Sequence, residues 1–231
     1  MLHKAQHLKD YTLKSRDGEI GTFKEFYCDD QHWAIRYLVA DTGNWLTDRQ
    51  VLIPPSAISA VNTQKQIIDI NLTKQQIVDS PFLTGGKSGS REFEDAWDPY
   101  LRSSQNVIGS HVQGTDGELG HVDDFLIDVE TWAIRYFIID TRKWWLEKKV
   151  LISSKWIERV SWLEAKVYIN LARETMKQAP EYMDLEPLTR EYEANLHTRY
   201  QRWESWLKPM FRIVCKSENG EFLEFKKVFV V

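Results

Sequence analysis

The chain lacks most of the features that announce a chemistry. Its two cysteines, Cys28 and Cys215, cannot build a disulfide framework, and no CxxC or Cys/His cluster is present to hold zinc. That usage fits a reducing cytoplasm. Basic residues are not in excess: the net charge is −4 and the pI about 5.9, which excludes non-specific binding to nucleic acid. No apolar run approaches the ~20 residues of a membrane span. The opening residues, from Met1 to Lys9, have no apolar core of a signal peptide. A cytoplasmic protein with no membrane span is therefore expected.

Catalytic groupings are missing as well. No Ser/His/Asp or Cys/His set has a usable local context, and Cys28 is followed by Asp29 and Asp30, whose charges disfavour a thiolate. Gly85-Gly86-Lys87-Ser88 looks like the end of a phosphate-binding loop, but Pro81 stands where that motif needs its first glycine. His3 and His7 have the spacing of a helical ligand pair, yet nothing completes a site, so they read as frayed surface residues. His121 precedes Asp123 and Asp124, acids that read as a solvated strand or turn. No catalytic residue, cofactor or metal ligand is assigned, and no enzyme is expected.

What the chain has is ten tryptophans, a globular composition with 42% hydrophobic residues, and a repeat. Trp33-Ala34-Ile35-Arg36-Tyr37 returns as Trp132-Ala133-Ile134-Arg135-Tyr136, displaced by 99 positions, and Asp41-Thr42 returns as Asp140-Thr141. The same offset carries Asp17-Gly18-Glu19 to Asp116-Gly117-Glu118, Val51-Leu52-Ile53 to Val150-Leu151-Ile152, and Ile70-Asn71-Leu72 to Ile169-Asn170-Leu171. No gap is needed, so the chain holds two copies of one fold. In the first copy, residues 1–7 give no firm signal. Strands are predicted from Leu8, over Ile20–Tyr27, over the alternating stretch Trp33–Thr42, over Trp45–Ile53 ahead of Pro54-Pro55, and at Ile58–Val61 and Ile67–Ile70. A short helix follows at Thr73–Val78, before Pro81.

Short, evenly spaced strands predict a mainly β protein of two tandem small antiparallel barrels. Each is followed by an amphipathic helix, opened by Ser90 or Thr189 as N-cap, with apolar stripes Phe93, Trp97, Leu101 and Tyr192, Leu196, Tyr200. The domains are read as 1–83 (first barrel), 84–105 (linker and helix), 106–182 (second barrel) and 183–231 (helix and a β-hairpin around Asn219-Gly220).

Asp-Gly-x-x-Gly, then Trp-x-Ile-Arg-Tyr, then Asp-Thr-x-x-Trp, then Val-Leu-Ile resembles the PRC-barrel family over about residues 8–80 and 107–179. That family is named for the cytoplasmic domain of the photosynthetic reaction-centre H subunit and includes the C-terminal domain of the ribosome maturation factor RimM. The trailing helices look like those of bacterial tandem members. The resemblance implies docking onto a larger protein or ribonucleoprotein assembly. It brings no catalytic residues with it.

Residue by residue, the repeated Trp33, Arg36, Asp41, Trp132, Arg135 and Asp140 read as structural. Arg36 and Arg135 stand mid-strand and call for a buried or semi-buried acid. Asp41, Asp140, Glu19 and Glu118 are the candidates, and a cross-strand partner is favoured. Trp145, Trp156 and Trp162 replace Leu46, Ala57 and Thr63, so they belong to the second copy alone. They are candidates for an inter-barrel, inter-subunit or partner contact, the first two being favoured. A homodimer is a further expectation, and a pocket between the barrels holding a small ligand or ion is the alternative to docking.

Overall fold

The computed structural model describes residues 2–43, 46, 51–79, 100–141, 148–184, 188–200, 214–216 and 222–224. The chain divides into two compact units, Met1–Glu186 and Pro187–Val231. Both repeats lie in the first.

The first repeat runs β1 (Leu2–Lys4), α1 (Ala5–Leu8), β2 (Thr12–Ser15), β3 (Gly18–Asp29), β4 (Ala34–Asp41) and β5 (Val51–Ile53). A 3-10 turn (Pro55–Ala57), β6 (Ile58–Asn62), β7 (Ile67–Ile70) and α2 (Lys74–Val78) complete it. The second repeats this order: β8 (Leu101–Ser103), α3 (Ser104–Val107), β9 (His111–Gly114), β10 (Gly117–Asp128), β11 (Ala133–Asp140) and β12 (Lys149–Ser153). Its 3-10 turn (Ser154–Trp156), β13 (Ile157–Ser161), β14 (Lys166–Ile169) and α4 (Arg173–Lys177) follow. Most elements begin on residues 99 apart, as the sequence period requires.

Within each repeat the strands pair in the order β6-β7-β2-β3-β4-β5, or β13-β14-β9-β10-β11-β12. All pairs are antiparallel except β2 with β7 and β9 with β14. The long strands β3 and β10 carry register shifts at equivalent places, between Phe23 and Glu25 and between Val122 and Asp124. Each such bulge bends and coils the strand, which lets one strand serve two parts of a small barrel. At Gly21 the strand passes over the carbonyl of Asp41 so closely that a Cβ would lie 2.0 Å from its oxygen, at φ +138°. No other residue fits there. α2 opens with a capping box in which the Thr73 hydroxyl and the Gln76 side chain exchange bonds with each other's backbone N–H.

The two repeats are joined by exchange. β1 pairs with β10 of the second repeat (Leu2↔Asp128, His3↔Ile127, Lys4↔Leu126), and β8 pairs with β3 of the first (Leu101↔Asp29, Arg102↔Cys28, Ser103↔Tyr27). These pairings are the same under the repeat offset, so a pseudo-twofold axis relates them. On that axis β4 meets β11 at Ala34↔Ala133. There Ile35 N–H donates to the Trp132 carbonyl and Ile134 N–H to the Trp33 carbonyl, both at 2.8 Å. As a result 14 strands form one sheet. Phe26 and its equivalent Phe125 meet edge to face with centroids 5.7 Å apart, and Phe125 and Trp33 both pack on Phe137. Such pairs add about 0.5–1.5 kcal/mol each beyond area burial.

Two sequence expectations change here. Residues 2–8 are an ordered arm, not a frayed end: His3 is half-buried in β1, and Ala5 and Leu8 are buried. A three-residue strand has no periodicity to read, which is why the arm gave no signal. Leu101 lies in β8, not on a helix face, because pairing with Asp29 claims its backbone. Strand β5 covers Val51–Ile53 of the predicted Trp45–Ile53, and Trp45, residues 47–50, Trp144, Trp145, the Gly85–Ser88 run and the helix opened by Ser90 lie outside the described residues.

The second unit has α5 (Arg190–Arg199), whose N-cap Thr189 accepts from Tyr192 N–H, with Leu196 and Tyr200 buried. It also has an antiparallel pair, β15 (Val214–Lys216) with β16 (Phe222–Glu224). Asn219-Gly220 lies between them, outside the described residues.

Leu8 fastens the first arm and is fully buried. Leu8→Ala should lower the urea-unfolding free energy by about 2–5 kcal/mol. Followed at amides of β3 and β10, both repeats should shift together; separate transitions would mean that exchange does not couple them.

Candidate functional site

The repeated residues turn out to hold the axis. After β3 and β10 the chain reverses in a short turn closed by Trp33 N–H on the Asp29 carbonyl (2.8 Å) and Trp132 N–H on that of Asp128 (2.7 Å). Both tryptophans sit at left-handed φ, +54° and +53°, a conformation that bulky residues rarely adopt. Both are buried, and their carbonyls are the acceptors on the axis.

Arg36 is paired across the strands, but with none of the expected acids: it donates to Asp29 at 2.7 Å, and Arg135 lies 4.0 Å from Asp128. The register explains the difference. Asp29 stands opposite Ala34, so Arg36 reaches it on the diagonal two residues away. Nor is the first arginine buried, since half its side chain meets solvent. Burial alone would push the Asp29 carboxyl up. The Arg36 guanidinium, the Gln31 and His32 N–H groups and the His32 ring outweigh it and hold the carboxyl down at about 2. Asp41 is exposed and accepts from Gly43 N–H, whereas Asp140 is buried.

Two buried carboxylates in the barrels were not foreseen. Asp124 is completely buried, against the expectation of a solvated acid, and Glu25, its equivalent, is nearly so. The bulges are the cause: each inserts one residue and resets the alternation, turning the following acid inward. Each acid receives an arm. Gln6 N–H donates to Asp124 Oδ2 at 3.2 Å, and the Ser103 hydroxyl donates to Glu25. Asp124 Oδ1 has no hydrogen-bond partner among the described residues. Burial pushes the Asp124 carboxyl up to about 6, opposed by the Phe125 and Gln6 N–H groups and Lys4.

His121, Asp123 and Asp140 bring ligand atoms within 4.8 Å of one another, a grouping with which a metal could be held and which sequence reading did not assemble. Lys149 Nζ already stands 2.8 Å from Asp123 Oδ2, so an ammonium supplies positive charge there. The equivalent positions in the first repeat are Thr22, Lys24 and Asp41.

The tryptophans specific to the second repeat divide. Trp145 lies outside the described residues. Trp156 ends the 3-10 turn and is buried. Trp162 crosses between the repeats: its indole N–H donates to Asp30 Oδ2 at 2.8 Å, and the Arg102 guanidinium lies over its ring, 5.0 Å from the centroid. Arg102 in turn lies 3.5 Å from Asp30, both side chains being nearly buried. Burial raises the Asp30 carboxyl, with Arg102 and Trp162 opposing. Asp30 and Arg102 line a cleft of about 700 Å³ between the repeats, whose lining also includes His32, Tyr100, Lys155, Glu158 and Arg159. Arg159 is laid flat on Tyr168, 3.5 Å from its centroid. Cys28 is buried in β3, away from any nucleophilic setting.

The chain matches the PRC-barrel domain family over residues 9–77 and 102–175, more than half its length. No curated protein matches it. Among the described residues no helix is long and apolar enough to cross a membrane.

Asp124 has a signed pH consequence. A carboxyl raised from 3.8 to about 6 by folding binds its proton more tightly in the native state, so its contribution is fully favourable below about pH 4 and is lost as pH rises to 6. Asp124→Asn should therefore raise stability at pH 7.5 by about 2 kcal/mol. It should also flatten part of the loss between pH 4 and 6 in a series of urea melts. An unchanged pH profile would refute the assignment.

Proposed function

The chain belongs to the PRC-barrel family, with two copies in tandem, and on that premise we propose that it is a non-catalytic binding module that docks onto a protein or ribonucleoprotein assembly in the cytoplasm. The observation that carries this reading is the divergence of one face of the second repeat. Leu163 replaces Gln64 of the first repeat and is 83% exposed, next to Trp162. Tyr100, which lines the cleft between the repeats, is 50% exposed. Exposed apolar residues beside tryptophan and arginine have the composition of interface centres. The net charge of −4 favours a protein contact over a bare nucleic acid.

A second reading has its own support. The cleft between the repeats lies in the size range of small-ligand sites, which favours a ligand-sensing role alone or combined with docking.

The test is co-purification of the tagged chain from its native host, with and without ribonuclease, beside the double variant Tyr100→Ser, Leu163→Ser. Both residues are on the surface, so the variant should match the parent in stability within about 0.5 kcal/mol. A partner that survives ribonuclease and is lost in the variant is the expected result. Loss on ribonuclease treatment would assign the contact to RNA, and a clean preparation from the parent chain would overturn the docking reading.

A further inference from the structure

The two exchanged arms are equivalent in place and unequal in what they bring. The repeat offset sets Lys4-Ala5-Gln6 of the first arm against Ser103-Ser104-Gln105 of the second, and Asp124 beneath the first against Glu25 beneath the second. In the second arm the Ser103 hydroxyl accepts from Gln105 N–H at 3.2 Å and donates to the Glu25 carboxylate. The Ser104 hydroxyl accepts from Phe26 N–H at 3.3 Å. Neither hydroxyl exists in the first arm. Gln6 N–H reaches the acid directly, at 3.2 Å from Oδ2, and Asp124 Oδ1 makes no hydrogen bond among the described residues. Yet Asp124 is the more deeply buried of the two acids, 0% exposed against 4% for Glu25.

The charges around Asp124 do not make up the difference. From β1 comes Lys4, but its ammonium is bonded to Asp184 at 3.0 Å. From the segment after α4 comes Tyr182, whose phenol is pushed up to about 12 by burial, Asp184 and Asp124. Asp184 itself, which burial would push up, is held down by Lys4, Lys149 and His7 of α1. On β10, Asp123 is a like charge, bonded to Lys149 of β12 at 2.8 Å. A carboxylate at Asp124 is thus left with two N–H groups, those of Phe125 and Gln6, and a lysine shared with another acid. Loss of water outweighs them.

We propose that the first arm, Leu2 to His7, is a latch over Asp124, shut while that carboxyl holds its proton and loosened when it ionises. The arm is built to open by itself. Its strand has three register pairs, Leu2↔Asp128 to Lys4↔Leu126, and Leu8 behind it is held in the core. Short peripheral segments open far more often than a whole barrel unfolds. Opening lets water reach Asp124 and leaves Leu126–Asp128 without this partner strand, an edge that can take up another extended segment. The sign follows from the carboxyl, raised from 3.8 to about 6 in the shut arm. Its contribution to closure is fully present below about pH 4 and is lost as pH rises through about 6. The half-buried His3 acts in the opposite sense, since burial lowers its ring and the shut arm disfavours its protonation.

The test is amide hydrogen exchange of the full chain carrying His3→Gln and His7→Gln, which remove the imidazoles of the arm. Rates are converted to protection factors, so that the intrinsic pH dependence of exchange drops out. Between about pH 5 and pH 7.5 the protection of Gln6 and β1 should fall by about tenfold, with a smaller change at Gln105 and β8. Adding Asp124→Asn should leave the first arm equally protected throughout. Lys4→Ser with Asp124→Glu installs the acid and hydroxyl of the second arm, and it serves as the check should the asparagine chain not fold. It should bring the first arm to the pH response of the second. Protection of the first arm that does not change with pH, a fall that survives these substitutions, or equal falls in both arms would each overturn the latch. Since no partner enters the experiment, its outcome and that of co-purification are independent.

Discussion

The structure hangs on two hydrogen bonds, Ile35 N–H to the Trp132 carbonyl and Ile134 N–H to the Trp33 carbonyl. They form only because each tryptophan is held in a left-handed conformation that turns its carbonyl toward the other repeat. That conformation costs on the order of 1–3 kcal/mol for a bulky residue. Burial of the indole offsets the cost, at about 25 cal/mol per Å² removed from water. Once β4 and β11 are paired here, Phe26 must meet Phe125 and each arm must fall on the long strand of the opposite repeat. Moving this contact by one residue would turn every side chain of both strands to the wrong face.

This explains what the sequence could and could not reveal. The period, the positions of most strands and the short helix at Lys74–Val78 were legible because alternation, Pro54-Pro55 and the Thr73 cap are local signals. The arms were not, since three residues have no measurable period and their pairings span about a third and about half of the chain. Asp124 was misread because a bulge breaks the parity on which strand reading depends. The partner of Arg36 was missed for a related reason: parity points across the strands and away from Asp41, but only register selects Asp29 over Glu19. As for the cleft, its residues were visible only as mismatches between repeats. Trp162 was picked out for that reason, while Arg102, Lys155 and Arg159 stand too far from Asp30 in sequence to be grouped.

Duplication within one chain separates two demands that a symmetric pair of identical subunits must meet with the same residues. In such a pair, any residue changed for binding changes on both faces, and its cost to stability is incurred twice. Here the conserved half of each repeat, the Trp–Ile–Arg–Tyr strand and the glycines beneath it, keeps the axis. The turns from Ser154 and from Trp162 belong to one side only and can change without disturbing it. Asp140 and Asp41 show the same freedom on a smaller scale, one buried beside His121 and the other capping a turn in solvent.

The exchanged arms also impose an order in time. A growing chain releases β3 long before Leu101–Ser103 exists to pair with it, and Leu2–Lys4 must wait until Leu126–Asp128 has been made. The first barrel therefore leaves the ribosome with an uncovered edge and a buried acid, Glu25, that still lacks the Ser103 hydroxyl. Domains of a growing chain ordinarily fold as units, the first one first. In this protein the first repeat cannot finish until the second has begun to be synthesised, and its last strand is delivered by its own twin.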